Sequence, residues 1–286
     1  MIIGSDLFSA MTFDWYQATV AVDPDELFSK LVDDFPAIER RPVNGIAQYD
    51  RCEAAFQGAY KLFDVSYGGN QGANPNIRST GYFARHIGPQ IRLHWPAHRV
   101  TRVDVACDFS EEGLFDKIHS VMDRIHSEQG IARKDFGFAS PENGRTFYLG
   151  SPKSPMQIRL YEKGKKALNE GDETADPNWI RLECQYRPRS AEKEKFSQID
   201  AEGIWGASLS ARILIKYVLD LDPVPIKQEP PMNRTDEDKV RYLIRQYRRT
   251  LGLVDRERLY QILTEELSGI HATKLPNVSG TDHVLH

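Results

Sequence analysis

Three segments of the sequence alternate apolar residues with arginine and an acid or tyrosine: RVDVACDF (102–109), MQIRLYEKGKKA (156–167) and WIRLECQYR (179–187). Residues two apart on a β-strand share a face and lie about 6.6 Å apart. Each segment therefore predicts a strand with one apolar face toward the core and one charged face. A salt-bridged outer face explains any single strand, whereas the same arrangement in three strands indicates a shared functional site.

The acidic residues on these faces are candidate ligands of a metal ion. Asp104 and Glu183, on neighbouring strands, offer the oxygen atoms that a hard divalent cation such as Mg²⁺ or Mn²⁺ prefers. Asp108 is a further candidate, but it lies about 13 Å from Asp104 along an extended strand, so one ion reaches both only across a bend or bulge. We favour Asp104.

Tyr161 is the candidate nucleophile. A tyrosine has a reference pKa near 10 and needs help to react. Arg159 and Lys163 are predicted on the same strand face, where they and a metal would favour the phenolate and stabilise a pentacovalent phosphate. Attack on a phosphodiester would form a phosphotyrosine bond and free a hydroxyl, and the ester would allow rejoining without ATP. The alternatives are a half-buried strand residue and a stacking platform for bases.

The elements around these segments predict an α+β fold of antiparallel sheets with helices packed on one face. The order β-α-β-β-β occurs twice and predicts two related halves. A helical hairpin follows at the C-terminus. The predicted strands are 11–22, pieces around 45–50 and 57–67, and then 98–109, 144–150, 156–163 and 179–187; the predicted helices are 23–35, capped by Asp23, 110–130, capped by Ser110, 203–219, 235–251, capped by Thr235, and 255–268.

These elements divide the chain into six segments. They are a flexible N-terminus (1–11), an N-terminal half (12–97), a catalytic half (98–220), a proline-rich linker (221–234), the helical hairpin (235–270) and a disordered tail (271–286).

Composition excludes several classes of protein. The 286 residues contain no apolar run of membrane-spanning length and no basic N-terminal segment that leads into an apolar one, which predicts a cytoplasmic protein without a membrane partner. The three cysteines lack paired spacing. A net charge of −4 does not exclude a nucleic-acid partner, because local patches bind phosphate.

Two such basic patches occur, at 145–166 and at RYLIRQYRR (241–249). Arg241, Arg245, Arg248 and Arg249 of the second patch predict DNA contact. The alternatives for this hairpin are docking on a host helicase or on a second protomer, as in a homodimer, and an ordinary capping subdomain.

The order of the motifs TRVDVACDF, GRTFYLGSPKSPMQIRLYEKGKK and WIRLECQYR resembles the replication initiation factor family. That family comprises initiators of rolling-circle plasmids and filamentous phages and related relaxases. The opening TFDWYQATV is similar to the N-termini of the phage members, and the resemblance covers roughly 12–220.

The resemblance implies that Tyr161 is the DNA-cleaving nucleophile and that Asp104 and Glu183 are metal ligands. The loop YLGSPKS (148–154) matches a motif of the family in which Gly150 allows close approach of the backbone. Some members carry an acid a few residues after the motif lysine, where this chain has Lys165, Lys166 and Ala167, so the resemblance assigns no proton-transferring acid there. Together with the basic patches, the predicted DNA contacts in the catalytic half are Arg102, Arg145, Ser151, Lys153, Ser154, Lys165, Lys166, Arg181 and Arg187.

The resemblance implies a rolling-circle initiator that nicks one strand of its origin, presented as a double-stranded hairpin or as a single strand. It would stay on the 5′ end and leave a 3′-hydroxyl primer. One alternative is a relaxase with the same chemistry. Relaxases more often carry an added N-terminal DNA-binding domain, and the segment before residue 12 is too short for one, which favours a role in replication. Another is a non-catalytic DNA-binding regulator. None of the eight histidines has the His-hydrophobic-His spacing of a different nuclease class.

Overall fold

A computed structural model describes residues 11–46, 48–69, 74–227 and 235–271. They fall into two compact units, within Met1–Pro231 and within Met232–His286. Residues 1–10 of the predicted flexible N-terminus, 228–234 of the predicted linker and 272–286 of the predicted disordered tail lie outside the described residues. The first unit contains ten strands: β1 Thr12–Thr19, β2 Ile38–Pro42, β3 Arg51–Gln57, β4 Tyr60–Tyr67, β5 Asn76–Thr80, β6 Arg99–Ser110, β7 Arg133–Phe136, β8 Thr146–Leu149, β9 Met156–Tyr161 and β10 Trp179–Tyr186.

Eight α-helices are described, and several begin where the sequence supplies a cap. The Asp23 carboxylate accepts a hydrogen bond from the backbone N–H of Asp25 at 2.8 Å, and Pro24 occupies the first helical position. The helices are α1 Pro24–Val32, α2 Ala84–His94, α3 Leu114–Gln129, α4 Lys163–Asn169 and α5 Leu209–Leu219 in the first unit, and α6 Asp236–Gln246, α7 Arg248–Leu251 and α8 Arg256–His271 in the second.

The ten described strands form one antiparallel sheet. The strands of the two halves occupy equivalent positions in it when each half is read from its own edge toward the centre. The order is β2-β3-β4-β5-β1-β6-β10-β9-β8-β7. Strand β1, helix α1 and strands β2 to β5 make the first half; β6, α3 and β7 to β10 make the second in the same sequence, with α4 added before β10. The predicted α+β class is confirmed, and each half carries one strand more than the predicted β-α-β-β-β unit.

A single hydrophobic core covers one face of this sheet. Val103, Val105 and Cys107 of β6 are buried against it, and Ile118 and Met122 of α3 belong to the same cluster. Helices α1, α2 and α5 contribute buried residues to this core as well. The alternation of the strands leaves the other face for polar side chains, because adjacent residues point to opposite sides.

Several elements differ from the sequence prediction. A strand was predicted around 45–50; the described residues there, 45–46 and 48–50, lie between β2 and β3 without regular structure. Ser110 ends β6 instead of capping a helix; α3 begins four residues later, after Gly113, which has a φ of 72°. Strands β2, β5 and β7 and helices α2 and α4 were not predicted, and two strands, β3 and β4, occupy the region where one piece was predicted around 57–67. The edge strand β7 is exposed at every residue, so it has no apolar alternation to mark it.

His98 is buried beneath this sheet and is held in its neutral form. Its Nδ1 lies 2.6 Å from the Trp95 carbonyl, which only accepts, so Nδ1–H donates there and Nε2 accepts from the Tyr16 hydroxyl at 2.6 Å. Burial lowers the pKa of His98 to about 4.

Acid is therefore expected to destabilise the fold through His98. Because its pKa is lower in the folded than in the unfolded state, its contribution is complete above about pH 6.5 and is lost as the pH falls to 4, an effect of about 3 kcal/mol. The measurement is the free energy of unfolding against pH for the wild type and for His98→Gln. The difference between the two curves should shrink between pH 6.5 and 4; a constant difference would contradict a buried neutral histidine.

The second unit consists of α6, α7 and α8. The Thr235 hydroxyl accepts from the backbone N–H of Asp238 at 3.1 Å, so the predicted cap is present. Arg241 is exposed and lies 3.8 Å from Glu237. The side chains of Arg245, Arg248 and Arg249 lie outside what the structure describes, so the DNA contact predicted for this patch stays a prediction. Among the helices described in either unit, none is long and apolar enough to cross a membrane.

Candidate active site

The three polar strand faces predicted from the sequence meet on one side of the sheet. Strand β10 lies between β6 and β9. In register, Tyr161 of β9 faces Arg181 of β10, and Arg181 in turn faces Asp108 of β6. One row further, Arg159 faces Glu183. These side chains therefore share the face opposite the helices.

The two carboxylates predicted as metal ligands are buried close together. Glu183 lies opposite Ala106, two residues from Asp104 on β6, which makes the two acids diagonal neighbours. Asp104 is 2% exposed and Glu183 is 3% exposed. Each is paired with an arginine: Arg102 Nε donates to Asp104 at 2.8 Å, and Arg159 Nη2 donates to Glu183 at 2.5 Å.

Both carboxylates have raised pKa values. Burial raises the pKa of Glu183 to about 7; the charge of Arg159 opposes this rise and the charge of Asp104 adds to it. Burial also raises the pKa of Asp104, against the opposing hydrogen bond and charge of Arg102. Two buried acids that repel each other form a site where a bound cation would be stabilised.

These residues fit a divalent ion as a set of hard oxygen ligands. Gln185, directly opposite Asp104, places a side-chain amide in the same row. Within the described ranges, no group of three or more His, Cys, Asp or Glu side chains is arranged to hold a metal. Asp104 and Glu183 would therefore supply two ligands and leave other positions to water and substrate, as Mg²⁺ sites commonly do.

Arg181 forms the central ion pairs of this face. Its guanidinium is 7% exposed, donates twice to Asp108 at 2.7 and 2.6 Å, and donates to Asp14 of β1 at 2.5 Å. Asp108 is thus engaged by Arg181; like Asp104, it is two residues from Ala106, which faces Glu183. Arg181 was predicted to contact DNA; here it is buried, and its guanidinium is engaged by Asp108 and Asp14.

Tyr161 is half-buried, and its hydroxyl makes no hydrogen bond to another described residue. The Arg159 guanidinium lies 4.9 Å from the centre of its ring. Burial raises the pKa of Tyr161 to about 12, although the charges of Arg181 and Arg159 lower it. The nearby cations predicted to favour the phenolate are thus outweighed by burial in the protein alone, and the phenol requires a proton acceptor to react.

Lys163 differs in position from the prediction. Strand β9 ends at Tyr161, and Lys163 begins α4 instead of continuing the strand face. Its ammonium lies 4.1 Å from the centre of the Trp179 ring. Burial lowers the pKa of Lys163 to about 8, and the charge of Arg181 lowers it further. A lysine with this pKa has an appreciable neutral fraction near pH 8 and can accept a proton.

The start of α4 is fixed by Glu162, which is buried. Arg145 donates to its carboxylate through the backbone N–H at 2.7 Å and through Nε at 3.0 Å, and Lys165 donates at 3.0 Å. At Gly164 a Cβ atom would lie 1.7 Å from the Asp176 carbonyl oxygen, so only glycine permits this close packing. Arg145 and Lys165, predicted DNA contacts, are here bonded to Glu162, whereas Lys166 is exposed.

The predicted phosphate loop connects β8 and β9 at the far end of β9 from Tyr161. Gly150 has a φ of +101°, and a Cβ atom there would lie 2.8 Å from the Met156 carbonyl oxygen. Ser154 donates to the Ser151 carbonyl at 2.7 Å. Lys153 is exposed, and Arg187 donates to the Pro152 carbonyl at 3.4 Å. The Ser154 hydroxyl is therefore engaged within the loop, and two cationic side chains, Lys153 and Arg187, lie in or beside the loop.

Two contributors to this face were missed in the sequence. Asp14 binds Arg181, and Trp15 lies opposite Asp104 with the Arg102 guanidinium 3.8 Å from its ring centre. A register shift between Phe13 and Trp15 breaks the alternation of β1. The resemblance of TFDWYQATV to phage initiators marked the segment but assigned no role to either residue.

Comparison with known proteins agrees with the motifs. A model of the replication initiation factor family matches residues 98–197, which include Asp104, Tyr161 and Glu183. No curated protein sequence matches the chain.

The fold is similar to that of a rolling circle replication initiator protein from Geobacillus stearothermophilus. The two share 20% sequence identity, with a TM-score of 0.50, over 77% of this chain and 100% of that one. At this identity the likeness concerns the fold. Over residues 98–197 the chain is therefore similar to the replication initiation factor family, which its motifs resemble.

Proposed function

We propose that this protein initiates rolling-circle replication by nicking one DNA strand, with Tyr161 as the nucleophile. The observation that carries the proposal is the position of Tyr161: its hydroxyl is unengaged by the described residues, and it stands in register with Arg181, one row from the Arg159–Glu183 pair. The match to replication initiation factors and the likeness to an initiator fold support the role in replication.

In the proposed step the Tyr161 oxygen attacks the scissile phosphorus. The phenol proton passes to the neutral amine of Lys163, the new bond joins Tyr161 to the 5′-phosphate, and the bond from phosphorus to the 3′-oxygen breaks. Lys163 can then return the proton to the departing 3′-oxygen. The product is a phosphotyrosine ester and a 3′-hydroxyl, and the reverse sequence rejoins the strand.

Arg159 would orient the phosphate. Its Nη2 donates to Glu183, while the side chain as a whole is 35% exposed. A guanidinium held by a carboxylate and partly open to solvent is suited to a phosphate oxygen, which carries more charge as the transition state forms.

We further propose that Asp104 and Glu183 hold Mg²⁺ or Mn²⁺. The ion would supply positive charge beside the phosphate. The residues themselves would fix its place, because their ion pairs with Arg102 and Arg159 restrict both carboxylates.

Metal is therefore expected to stabilise the protein through these two carboxylates. At about 100 times the dissociation constant, Mn²⁺ should raise the free energy of unfolding by about 2.7 kcal/mol. Glu183→Gln should abolish this increment, and Asp108→Asn, the matched control on β6, should retain it. The readout is the melting temperature with and without Mn²⁺. An undiminished increment in Glu183→Gln and Asp104→Asn would show that the ion binds elsewhere.

The nicking proposal is tested with a supercoiled plasmid that carries the coding sequence of the chain and its flanking DNA. Incubation with Mg²⁺ or Mn²⁺ should give open circles with protein attached to the 5′ end, and EDTA should prevent their formation. DNA that is bound and stays supercoiled would instead support a non-catalytic DNA-binding protein.

A further inference from the structure

The edge strand β7 presents an aromatic ring to solvent beside the candidate active site. Phe136 is 47% exposed, although a phenylalanine is ordinarily buried. Its ring packs edge-on against Tyr148 with 5.8 Å between centres, and the Lys134 ammonium lies 4.5 Å from the Phe136 ring centre. We refer to Lys134, Phe136 and Tyr148 as the edge shelf.

The strand register places the shelf on the same face as the nucleophile. Phe136 faces Thr146 of β8, and Thr146 faces Tyr161 of β9, so Phe136 and Tyr161 occupy one row two strands apart. Two strand spacings amount to about 10 Å. In the adjacent row Lys134 faces Tyr148, which faces Arg159.

The other residues of β7 confirm which way the shelf points. Arg133 forms an ion pair with Asp123 of α3, on the helix side of the sheet. Because neighbouring strand residues alternate, Lys134 and Phe136 point to the opposite side. The described structure therefore gives the Phe136 ring only the two other members of the shelf as ring or cation partners.

We propose that the edge shelf binds an unpaired base of the DNA strand close to the bond that Tyr161 cuts. The inference rests on the proposed function and adds to it a binding site for one unpaired base beside Tyr161. A base in duplex DNA has both faces covered by its neighbours, whereas an unpaired base offers a face to an aromatic ring. Lys134 would bind the phosphate that accompanies this base.

The test measures binding without cleavage, so that it does not depend on the nucleophile. The full-length protein with Tyr161→Phe is titrated with a fluorescent thymidine homopolymer about 20 nucleotides long and with an abasic oligomer that has the same number of phosphates. Stacking on a single aromatic side chain predicts that adding Phe136→Leu weakens binding to the thymidine oligomer about 5- to 100-fold. Binding to the abasic oligomer should not change.

Two further variants sharpen the result. Phe136→Trp should bind the thymidine oligomer at least as tightly as the parent, and Tyr60→Leu, which removes an even more exposed ring at the start of β4, should leave binding unchanged. Three results would contradict base binding by the shelf. They are equal affinity of Phe136→Leu and the parent, no binding to either oligomer, and an equal loss of affinity for both oligomers. If Phe136→Leu weakens binding to the thymidine oligomer but the wild type forms no covalent DNA complex, the shelf proposal is supported and the nicking proposal is wrong.

Discussion

Replacing Tyr161 by phenylalanine is expected to abolish nicking and covalent attachment to DNA, a loss of roughly 10³-fold or more in rate. The substitution removes only the attacking oxygen. Because the Tyr161 hydroxyl has no hydrogen bond to another described residue, its removal leaves no partner unsatisfied. DNA affinity and melting temperature should therefore stay close to those of the wild type, and the gel assay on supercoiled plasmid should show no open circles.

Two tyrosines near the site serve as matched controls. Tyr148 faces Arg159 on the same side of the sheet, and Tyr186 lies in the core, where its hydroxyl donates to Glu192 at 3.2 Å. Tyr148→Phe and Tyr186→Phe should both still form the covalent complex. Nicking that survives in Tyr161→Phe and disappears in Tyr148→Phe would transfer the role of nucleophile to Tyr148.

The largest effect on stability is expected from Arg181→Met. The change removes the cation that pairs with both Asp108 and Asp14, whose carboxylates are each only about one-fifth exposed. Breaking a buried ion pair from one side typically costs 3–5 kcal/mol, and we expect about 3 kcal/mol because of this partial exposure. Chemical denaturation with urea measures the loss.

A combined variant separates lost charge pairing from lost packing. Adding Asp14→Asn and Asp108→Asn to Arg181→Met removes the two carboxylate charges that Arg181 had paired, and should recover part of the stability. Arg41→Met, whose ion pair with Glu39 is exposed, should change the free energy of unfolding by less than about 1 kcal/mol. A triple variant less stable than Arg181→Met alone would contradict the charge argument.

The polar face of the second half was predictable because three strands alternate cleanly. In β6, β9 and β10, the core residues alternate with charged or polar ones, with Ala106 as the exception in β6, so the pattern itself assigned Asp104, Tyr161 and Glu183 to one side. The placement of Tyr186 in the core follows from the same alternation, and the structure agrees with it.

The position of Lys163 was not predictable from that pattern. A strand that continued through residue 163 would have kept the same polar period, and Gly164 is unfavourable in a helix. Helix α4 forms because Gly164 packs against the Asp176 carbonyl and because Arg145 and Lys165 hold Glu162, contacts that join distant parts of the chain. Tertiary packing overrides local propensity here.

Asp14 illustrates a second limit of prediction from the sequence. It is 167 residues from Arg181 in sequence, and the two meet only because β1 pairs with β6 at the centre of the sheet. Strand order of this kind is set by the global fold, and neither composition nor periodicity specifies it. The edge strand β7 was missed for the related reason that it has no buried residue.

The most direct test of the nucleophile is the identity of the residue that becomes attached to DNA. The covalent complex formed with a nicked origin plasmid is digested with nuclease and trypsin, and the peptides are sequenced by mass spectrometry. A nucleotide 5′-phosphate on Tyr161, within the peptide that contains residues 160–163, is the expected result. Attachment to any other residue, or open circles that carry no protein, would contradict Tyr161 as the nucleophile.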